Sequence, residues 1–219
     1  MSRSGALRAL GPYSMAPLCV EYRCMPLDLY WIPVGAGERP RQSVVRFSGR
    51  VFETIAALAD RRPRRALFHA ALVATFDSET VSVEMAPTPD NNGLEMRGVV
   101  AVGAVGMRQL GRFRFFRYEV RRWSNGSIPD LDYAVESPVL ITDDPTLVNG
   151  VLDGLVEVPT PVWGRDELNT GEMWNSNSVI AWALARHGLD GRAGSPPNNG
   201  RAPGWASGIT AADQLNISK

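Results

Sequence analysis

Residues 66–87 read ALFHAALVATFDSETVSVEMAP, two runs of apolar, β-prone residues separated by the polar turn DSE at 77–79. Two such runs on either side of a short polar turn are typical of a β-hairpin. Folding the chain about this turn places Val73 roughly opposite Glu84, with His69 two pleats further along on the same face as Val73. The stretch therefore predicts a hairpin at the centre of an antiparallel sheet.

Further strands are predicted on both sides of the hairpin. Upstream, LDLYWIPV at residues 27–34 is strand-like, and the chain after residue 44 changes from a strand-like to a helical period that predicts a helix at about 50–60. Downstream follow GVVAVGAV at residues 98–105 and GRFRFFRYEVRRW at residues 111–123, in which Phe alternates with Arg as in a half-buried strand. These segments predict an antiparallel sheet of about five or six strands.

The second half of the chain predicts helices separated by turn-rich segments. A helix at about 144–155 begins at an acidic cap, and a second helix is entered through NSNS at residues 175–178. The Pro/Gly-rich tail, residues 191–219, reads as a loop packed on the surface, and residues 1–25 read as a disordered or irregular head. The predicted fold class is α+β, with one domain over residues 26–190.

Composition excludes several classes of function. The chain has 219 residues with 23 basic and 23 acidic side chains, so no net charge draws it to nucleic acid or to an acidic membrane surface. No apolar run is long enough for a membrane span, and Cys19 and Cys24 support neither a zinc site nor a disulfide framework. A reducing cytoplasm fits this pattern. Lys219 is the single lysine among many arginines, a codon bias that indicates a bacterial source.

His69 is a candidate for chemistry because it lies within an apolar strand. A histidine in that position either has a buried hydrogen-bond partner or faces a cleft. Glu84, on the neighbouring predicted strand, is close enough to orient one ring nitrogen and raise the basicity of the other, as a general base requires. Glu84 can equally be an ordinary, half-exposed strand residue.

Ser176 lies at the predicted start of the helix that NSNS enters. Free backbone N–H groups and the helix dipole favour developing negative charge there, so an oxyanion hole is readily built. A serine beside asparagine is also one of the common helix-capping patterns. The residue is therefore interpreted as a nucleophile, as a vestigial or binding residue, or as a cap.

The chain order of these motifs resembles a known group. A strand histidine in FHAALV, a polar residue in VSVEM and a final NSNS helix entry resemble the circularly permuted papain-like superfamily, which includes NlpC-type cell-wall peptidases and lecithin:retinol acyltransferase. The resemblance covers roughly residues 65–190. It implies His69 as base, Glu84 as orienting residue and Ser176 as nucleophile, in a bacterial branch with Ser where the superfamily has Cys. A serine hydroxyl, in contrast to a partly ionised thiol, must lose its proton during the attack.

Two functions from different classes follow from the resemblance. The first is a hydrolase or acyltransferase that acts on an amide or ester bond of a small-molecule or peptide substrate. The second is a catalytically inactive module that binds a peptide, lipid or protein partner in the same groove. In either case the predicted binding residues are Trp174, Asn175 and Asn177. No cofactor and no metal are predicted, and the sequence does not indicate an oligomeric state.

A nucleic-acid-binding role is the remaining alternative, because residues 108–123 interleave arginine with aromatic side chains. The neutral net charge argues against it, since affinity for nucleic acid depends largely on contacts between basic side chains and phosphates. Arginines on the solvent face of a strand, with the aromatic side chains inside, are the simpler interpretation.

Overall fold

The computed structural model of the protein describes residues 24–36, 65–77, 79–88, 97–126, 128 and 130–217. Six strands lie within these ranges: β1 (Cys24–Pro33), β2 (Phe68–Phe76), β3 (Thr80–Pro87), β4 (Val99–Ala104), β5 (Arg117–Ser124) and β6 (Val139–Thr142). The same ranges contain three α-helices: α1 (Pro145–Gly154), α2 (Ser176–Ala185) and α3 (Trp205–Ile217). The strands form one antiparallel sheet in the order β4-β5-β3-β2-β1-β6, which confirms the predicted α+β class.

The main core lies on one face of this sheet. Alternate residues of β2, such as Phe68, Ala70 and Leu72, point into the core together with buried residues from all three helices. Helix α2 is central, because eight of its ten residues, from Asn177 to Leu184, are buried. A helix that is apolar on nearly every side is expected where neighbours cover it on several sides. A smaller cluster that includes Ile32 and Ala71 lies on the opposite face.

The sheet forks between β2 and β3. These strands pair from Leu72 opposite Val83 to Thr75 opposite Thr80, and the second half of β3 pairs only with β5. The first half of β2 instead bonds a C-terminal segment, since Phe68 N donates to Arg201 O and Arg201 N donates to Ala66 O, both at 2.8 Å. The start of α2 reaches the edge of β2 at this fork.

The predicted hairpin is present, but its register differs from the expected one. Val73 lies opposite Ser82 and not opposite Glu84. The ladder continues through Thr75 and Thr80 to a 2.8 Å hydrogen bond from Phe76 N to Glu79 O, so the turn is tighter than the three residues assumed. The parity is unchanged, so His69 and Glu84 still share one face.

The strand predicted over residues 111–123 begins only at Arg117. Residues before it form two short 3₁₀ helices, Arg108–Arg112 and Arg114–Phe116. The β4–β5 ladder ends at the pair Ala104 and Arg117, and Val105 then forms a bridge with Trp163. The residues before Arg117 therefore lie beyond the end of the ladder. The expectation that the aromatic side chains of this segment point inward was wrong: Phe113, Phe115 and Phe116 are exposed.

The tail and the head also differ from their predicted boundaries. Residues 205–217 form α3 where a surface loop was expected, and Ala211 and Ala212 are buried in the core. Helix α3 packs closely against α2 at Gly208, where a Cβ atom would collide with Ser178 O of α2. Strand β1 begins at Cys24, inside the predicted head. The helix predicted at about 50–60 lies outside the described residues, as do residues 1–23.

Candidate functional site

The start of helix α2 is stabilised by a capping box. Asn175 is the N-cap residue, and its Oδ1 accepts a 2.9 Å hydrogen bond from Asn177 N. Ser178 closes the capping box, because its Oγ accepts from Asn175 N at 3.0 Å and donates to Gly204 O at 2.8 Å. Asn175 Nδ2 also donates to Pro203 O at 2.8 Å. Together with Asn177, whose Nδ2 also donates to Pro203 O, three of the four NSNS side chains therefore hold the helix start against the segment that enters α3.

Asn177 fills the fork in the sheet. Its Oδ1 accepts from Ala70 N at 2.7 Å, and its Nδ2 donates to Phe68 O at 3.0 Å and to Pro203 O at 2.9 Å. The side chain is 3% exposed and satisfies the backbone groups that a neighbouring strand would otherwise pair. The two β2 residues that it bonds are those on either side of His69.

Ser176 is the one member of NSNS that the capping does not use. Among the described residues, the structure records no hydrogen-bond acceptor for its backbone N–H and no partner for its hydroxyl. The residue is partly exposed. Ser176 thus combines an available hydroxyl with a free N–H in the first turn of a helix, where the dipole favours negative charge.

His69 points to the sheet face opposite Phe68 and Ala70, with Ile32 as its cross-strand neighbour on β1. Burial lowers the pKa of the His69 imidazole below its usual range, and the negative charge of Asp130 partly offsets this effect. The imidazole is therefore neutral near pH 7. A neutral imidazole is the form that accepts a proton.

Glu84 lies on the same face as His69 but bonds a different residue. Its Oε1 accepts a 3.1 Å hydrogen bond from Nη1 of Arg121, which lies directly across from Glu84 on β5. Burial raises the pKa of the Glu84 carboxyl, and the Arg121 guanidinium acts against that rise. Among the described residues, no hydrogen bond joins Glu84 to His69.

Arg121 belongs to a buried network of ion pairs on this face. It also contacts the carboxylate of Glu119, with Nε 3.0 Å from Oε2, and Glu119 is fully buried. Arg97 binds the same carboxylate through two hydrogen bonds of 3.1 and 2.9 Å. Both oxygens of this buried carboxylate thus accept hydrogen bonds from guanidinium groups, which offset the cost of burying it.

The charge of Asp130 acts on both His69 and Glu84. It raises the pKa of both the His69 imidazole and the Glu84 carboxyl. The sequence patterns did not assign Asp130, Arg97 or Glu119 to this site, because only the fold determines where these three residues lie relative to His69 and Glu84. The cross-strand pairing of Glu84 with Arg121 was detectable in principle, had the register of β3 against β5 been known.

The three predicted binding residues have internal roles in the structure. Trp174 is 1% exposed, and the side-chain polar atoms of Asn175 and Asn177 bond to protein groups. Within the described ranges, no three His, Cys, Asp or Glu side chains are close enough together to hold a metal ion. The structure therefore brings the start of α2 to the strand of His69, and it brings Glu84 to Arg121.

The chain matches no protein-family model, no curated protein and no solved structure in the comparisons made with each. In the described parts of the chain, no helix is both long enough and apolar enough to cross a bilayer.

Proposed function

We propose that the protein is a hydrolase or acyltransferase that acts on an amide or ester bond, with Ser176 as nucleophile and His69 as base in a permuted papain-like fold. One observation carries the proposal: Asn177 hydrogen-bonds both neighbours of His69 in β2, at Phe68 O and Ala70 N. The residue that follows Ser176 is thereby tied to the strand segment that presents the imidazole. Helix α2 packs on the face of Phe68 and Ala70, whereas His69 points to the other face, so the hydroxyl and the imidazole would meet around the edge of β2 that β3 leaves open at the fork.

The reaction would use the groups that the capping of α2 leaves free. The neutral His69 imidazole takes the hydroxyl proton as Ser176 Oγ attacks the carbonyl carbon. The oxyanion that forms is stabilised by the Ser176 N–H and the helix dipole. The imidazolium then protonates the leaving amine or alcohol, and an acyl-enzyme remains. Water releases the acid in a hydrolase, whereas a second alcohol or amine accepts the acyl group in an acyltransferase.

The acidic side chains near His69 would stabilise the imidazolium during this cycle. Asp130 already raises the pKa of the imidazole, so its charge favours the protonated ring. Glu84 is held on the same face by Arg121. In this scheme Asp130 acts on the imidazole through its charge, and Glu84, which bonds Arg121, does not make the direct orienting contact that the papain-like resemblance implied.

The proximity of Ser176 and His69 can be tested without knowing the substrate. In a chain whose native thiols are removed by Cys19→Ala and Cys24→Ala, Ser176→Cys places a thiol at the proposed nucleophile position. Its pKa, measured from the rate of alkylation by iodoacetamide against pH, is expected to lie about one unit or more below that of an ordinary thiol. Ser195→Cys, at an exposed position, is the matched control. Adding His69→Gln to Ser176→Cys should move the thiol pKa back toward the control value.

Identical alkylation profiles for the two thiols would contradict the proposal, because they would show that neither His69 nor the helix start acts on position 176. In the native chain, a fluorophosphonate is expected to label Ser176 and to fail with Ser176→Ala or His69→Gln. A lowered thiol pKa without any labelling would favour the non-catalytic papain-like module.

A further inference from the structure

The connection between β4 and β5 exposes an unusual amount of aromatic surface. We call residues 107–117 the Phe–Arg loop; it contains the 3₁₀ helices Arg108–Arg112 and Arg114–Phe116. Phe115 is 81% exposed, and Met107, Phe113 and Phe116 are each 41–51% exposed. Single exposed apolar residues are common on protein surfaces, but four large ones in ten consecutive residues form a patch.

The Phe–Arg loop has a defined structure. The guanidinium of Arg117, at the end of the loop, donates to the carbonyls of Gly111 and Arg112 and so holds the two ends of the second turn together. Backbone hydrogen bonds from Phe113 N to Leu110 O and from Phe116 N to Phe113 O form its two turns, at 2.9 and 3.0 Å. The phenylalanines are therefore held outward by a hydrogen-bonded scaffold.

The charge of the Phe–Arg loop is positive. It contains Arg108, Arg112, Arg114 and Arg117 and no acidic residue, although the whole chain has no net charge. One acidic partner comes from outside the loop, since Glu167 pairs with Arg108 at 2.9 Å. Two of the arginines lie against the aromatic rings, Arg112 at 4.6 Å from the centroid of Phe113 and Arg114 at 4.5 Å from that of Phe115.

We propose that the Phe–Arg loop docks the protein on the surface of a bilayer that contains anionic lipids. Exposed phenylalanine and methionine side chains on a projecting loop enter the boundary between headgroups and acyl chains, and the adjacent arginines meet the lipid phosphates. A soft lipid surface accepts projecting side chains without a matching cavity. Stacking of nucleic-acid bases is less favoured, because an arginine already covers one face of the Phe113 and Phe115 rings.

A recess beside the loop provides space for a lipid headgroup. Its volume is about 230 Å³, and its lining includes Gly103, Gly111, Arg108 and Arg117. Arg108 pairs with Glu167, and Arg117 donates to two backbone carbonyls, so a phosphate ester here would bind the guanidinium N–H groups that these partners do not use. The recess thus adds a polar contact beneath the apolar side chains.

The loop is also connected to the start of α2. Gly106 N donates to Trp163 O, and Gly164 N donates to Trp174 O, each at 2.9 Å. Two hydrogen-bonded steps therefore lead from the edge of the Phe–Arg loop to the residues just before Ser176. These hydrogen bonds show only that the Phe–Arg loop lies near the start of α2. The docking proposal does not depend on the proposed activity.

The test is co-sedimentation of the full chain with sucrose-loaded vesicles of phosphatidylcholine alone or of phosphatidylcholine with 30% phosphatidylserine. Binding is expected only to the anionic vesicles and is expected to fall about tenfold or more as NaCl rises from 50 to 500 mM. Phe115→Ser should weaken binding by about tenfold. Arg112→Gln should weaken it by about fivefold, since one arginine near an anionic surface contributes about that factor.

Val156→Ser is the matched control, because Val156 is 66% exposed and lies outside the Phe–Arg loop. It should leave vesicle binding unchanged. Circular dichroism and thermal melting establish that each variant folds, as the exposure of Phe115 leads us to expect. The proposal is overturned if the native chain does not sediment with anionic vesicles at 50 mM NaCl, or if Val156→Ser weakens binding as much as Phe115→Ser. Phe115-dependent binding of a single-stranded oligonucleotide without vesicle binding would overturn it as well.

Discussion

At the scale of single residues, Asn177 has the clearest structural role. Its amide pairs the backbone of β2 where β3 has separated, and it also bonds Pro203 O. Asn177→Ala would remove the partner of the Ala70 N–H and of the Phe68 carbonyl, whereas Pro203 O keeps its bond from Asn175 Nδ2. Since each unsatisfied buried group costs about 1–3 kcal/mol, we expect the free energy of unfolding to fall by about 3–5 kcal/mol in urea titrations.

The neighbouring serine is the control for this prediction. Ser176→Ala removes a hydroxyl that has no recorded partner in the described part of the chain, so its effect on unfolding should stay within about 0.5 kcal/mol. The two substitutions thus separate a structural asparagine from a serine that the proposed function requires. A loss for Ser176→Ala as large as that for Asn177→Ala would show that the hydroxyl is structural too.

The lowered pKa of His69 predicts that the free energy of unfolding depends on pH. Burial lowers its pKa in the folded state, so below about pH 6.5 the unfolded chain binds more protons than the folded one. The free energy of unfolding should therefore decrease as pH falls from 7.5 to 5.5. His69→Gln should flatten this slope in urea titrations at a series of pH values.

Two other groups need separate treatment in that experiment. Burial also lowers the pKa of His187, so His187→Gln should remove a further part of the same slope. Glu84, whose pKa is raised, acts in the opposite sense, because its folded form takes up a proton first. An unchanged slope in His69→Gln would contradict the burial of a neutral imidazole.

At the scale of elements, strand β5 offers two adjacent arginines in contrasting environments. Arg121 is 7% exposed and contacts both Glu84 and Glu119. Arg122 faces the other way and pairs with Asp153, whose side chain is 78% exposed. Arg121→Met should lower the free energy of unfolding by about 3–5 kcal/mol, because Glu84 loses its partner. Arg122→Met should lower it by about 0–1 kcal/mol.

The reason for this difference can itself be tested. Combining Arg121→Met with Glu84→Leu removes both charges, and part of the lost stability should return because no buried carboxylate is left unpaired. Urea titrations of the single and double variants measure the coupling. Equal effects of Arg121→Met and Arg122→Met would contradict a buried, paired network on β5.

At the scale of the whole molecule, local sequence patterns were sufficient to predict the elements that are specified by residues close together in the sequence. The β2–β3 hairpin, strand β4 and the capped helix α1 follow from periodicity, turn residues and the acidic cap at Asp144, whose side chain accepts from Thr146 N at 2.8 Å. The same patterns failed for residues 111–116, where alternation predicted a strand and the structure instead has parts of two short 3₁₀ helices. Helix α3 was missed because its buried positions are small residues that contribute little hydrophobic signal.

The candidate site could be predicted only in part, for the same reason. NSNS marked a helix start, and His69 and Glu84 were correctly placed on one face of the hairpin. The hydrogen-bond partners of these residues are distant in sequence, so local patterns do not reveal them: Asn177 bonds Ala70, 107 positions away, and Glu84 bonds Arg121, 37 positions away. Capping rules distinguish polar residues by type, and they do not indicate which of four adjacent side chains stays unbonded.

The fork in the sheet also has a consequence for synthesis on the ribosome. The free edge of β2 is closed by Asn177 and by the backbone of Arg201, which follows β2 by more than a hundred residues. Until that late segment has left the exit tunnel, this edge of β2 lacks its partner and can pair with another chain. A chain truncated before Arg201 would therefore leave this strand edge open to aggregation.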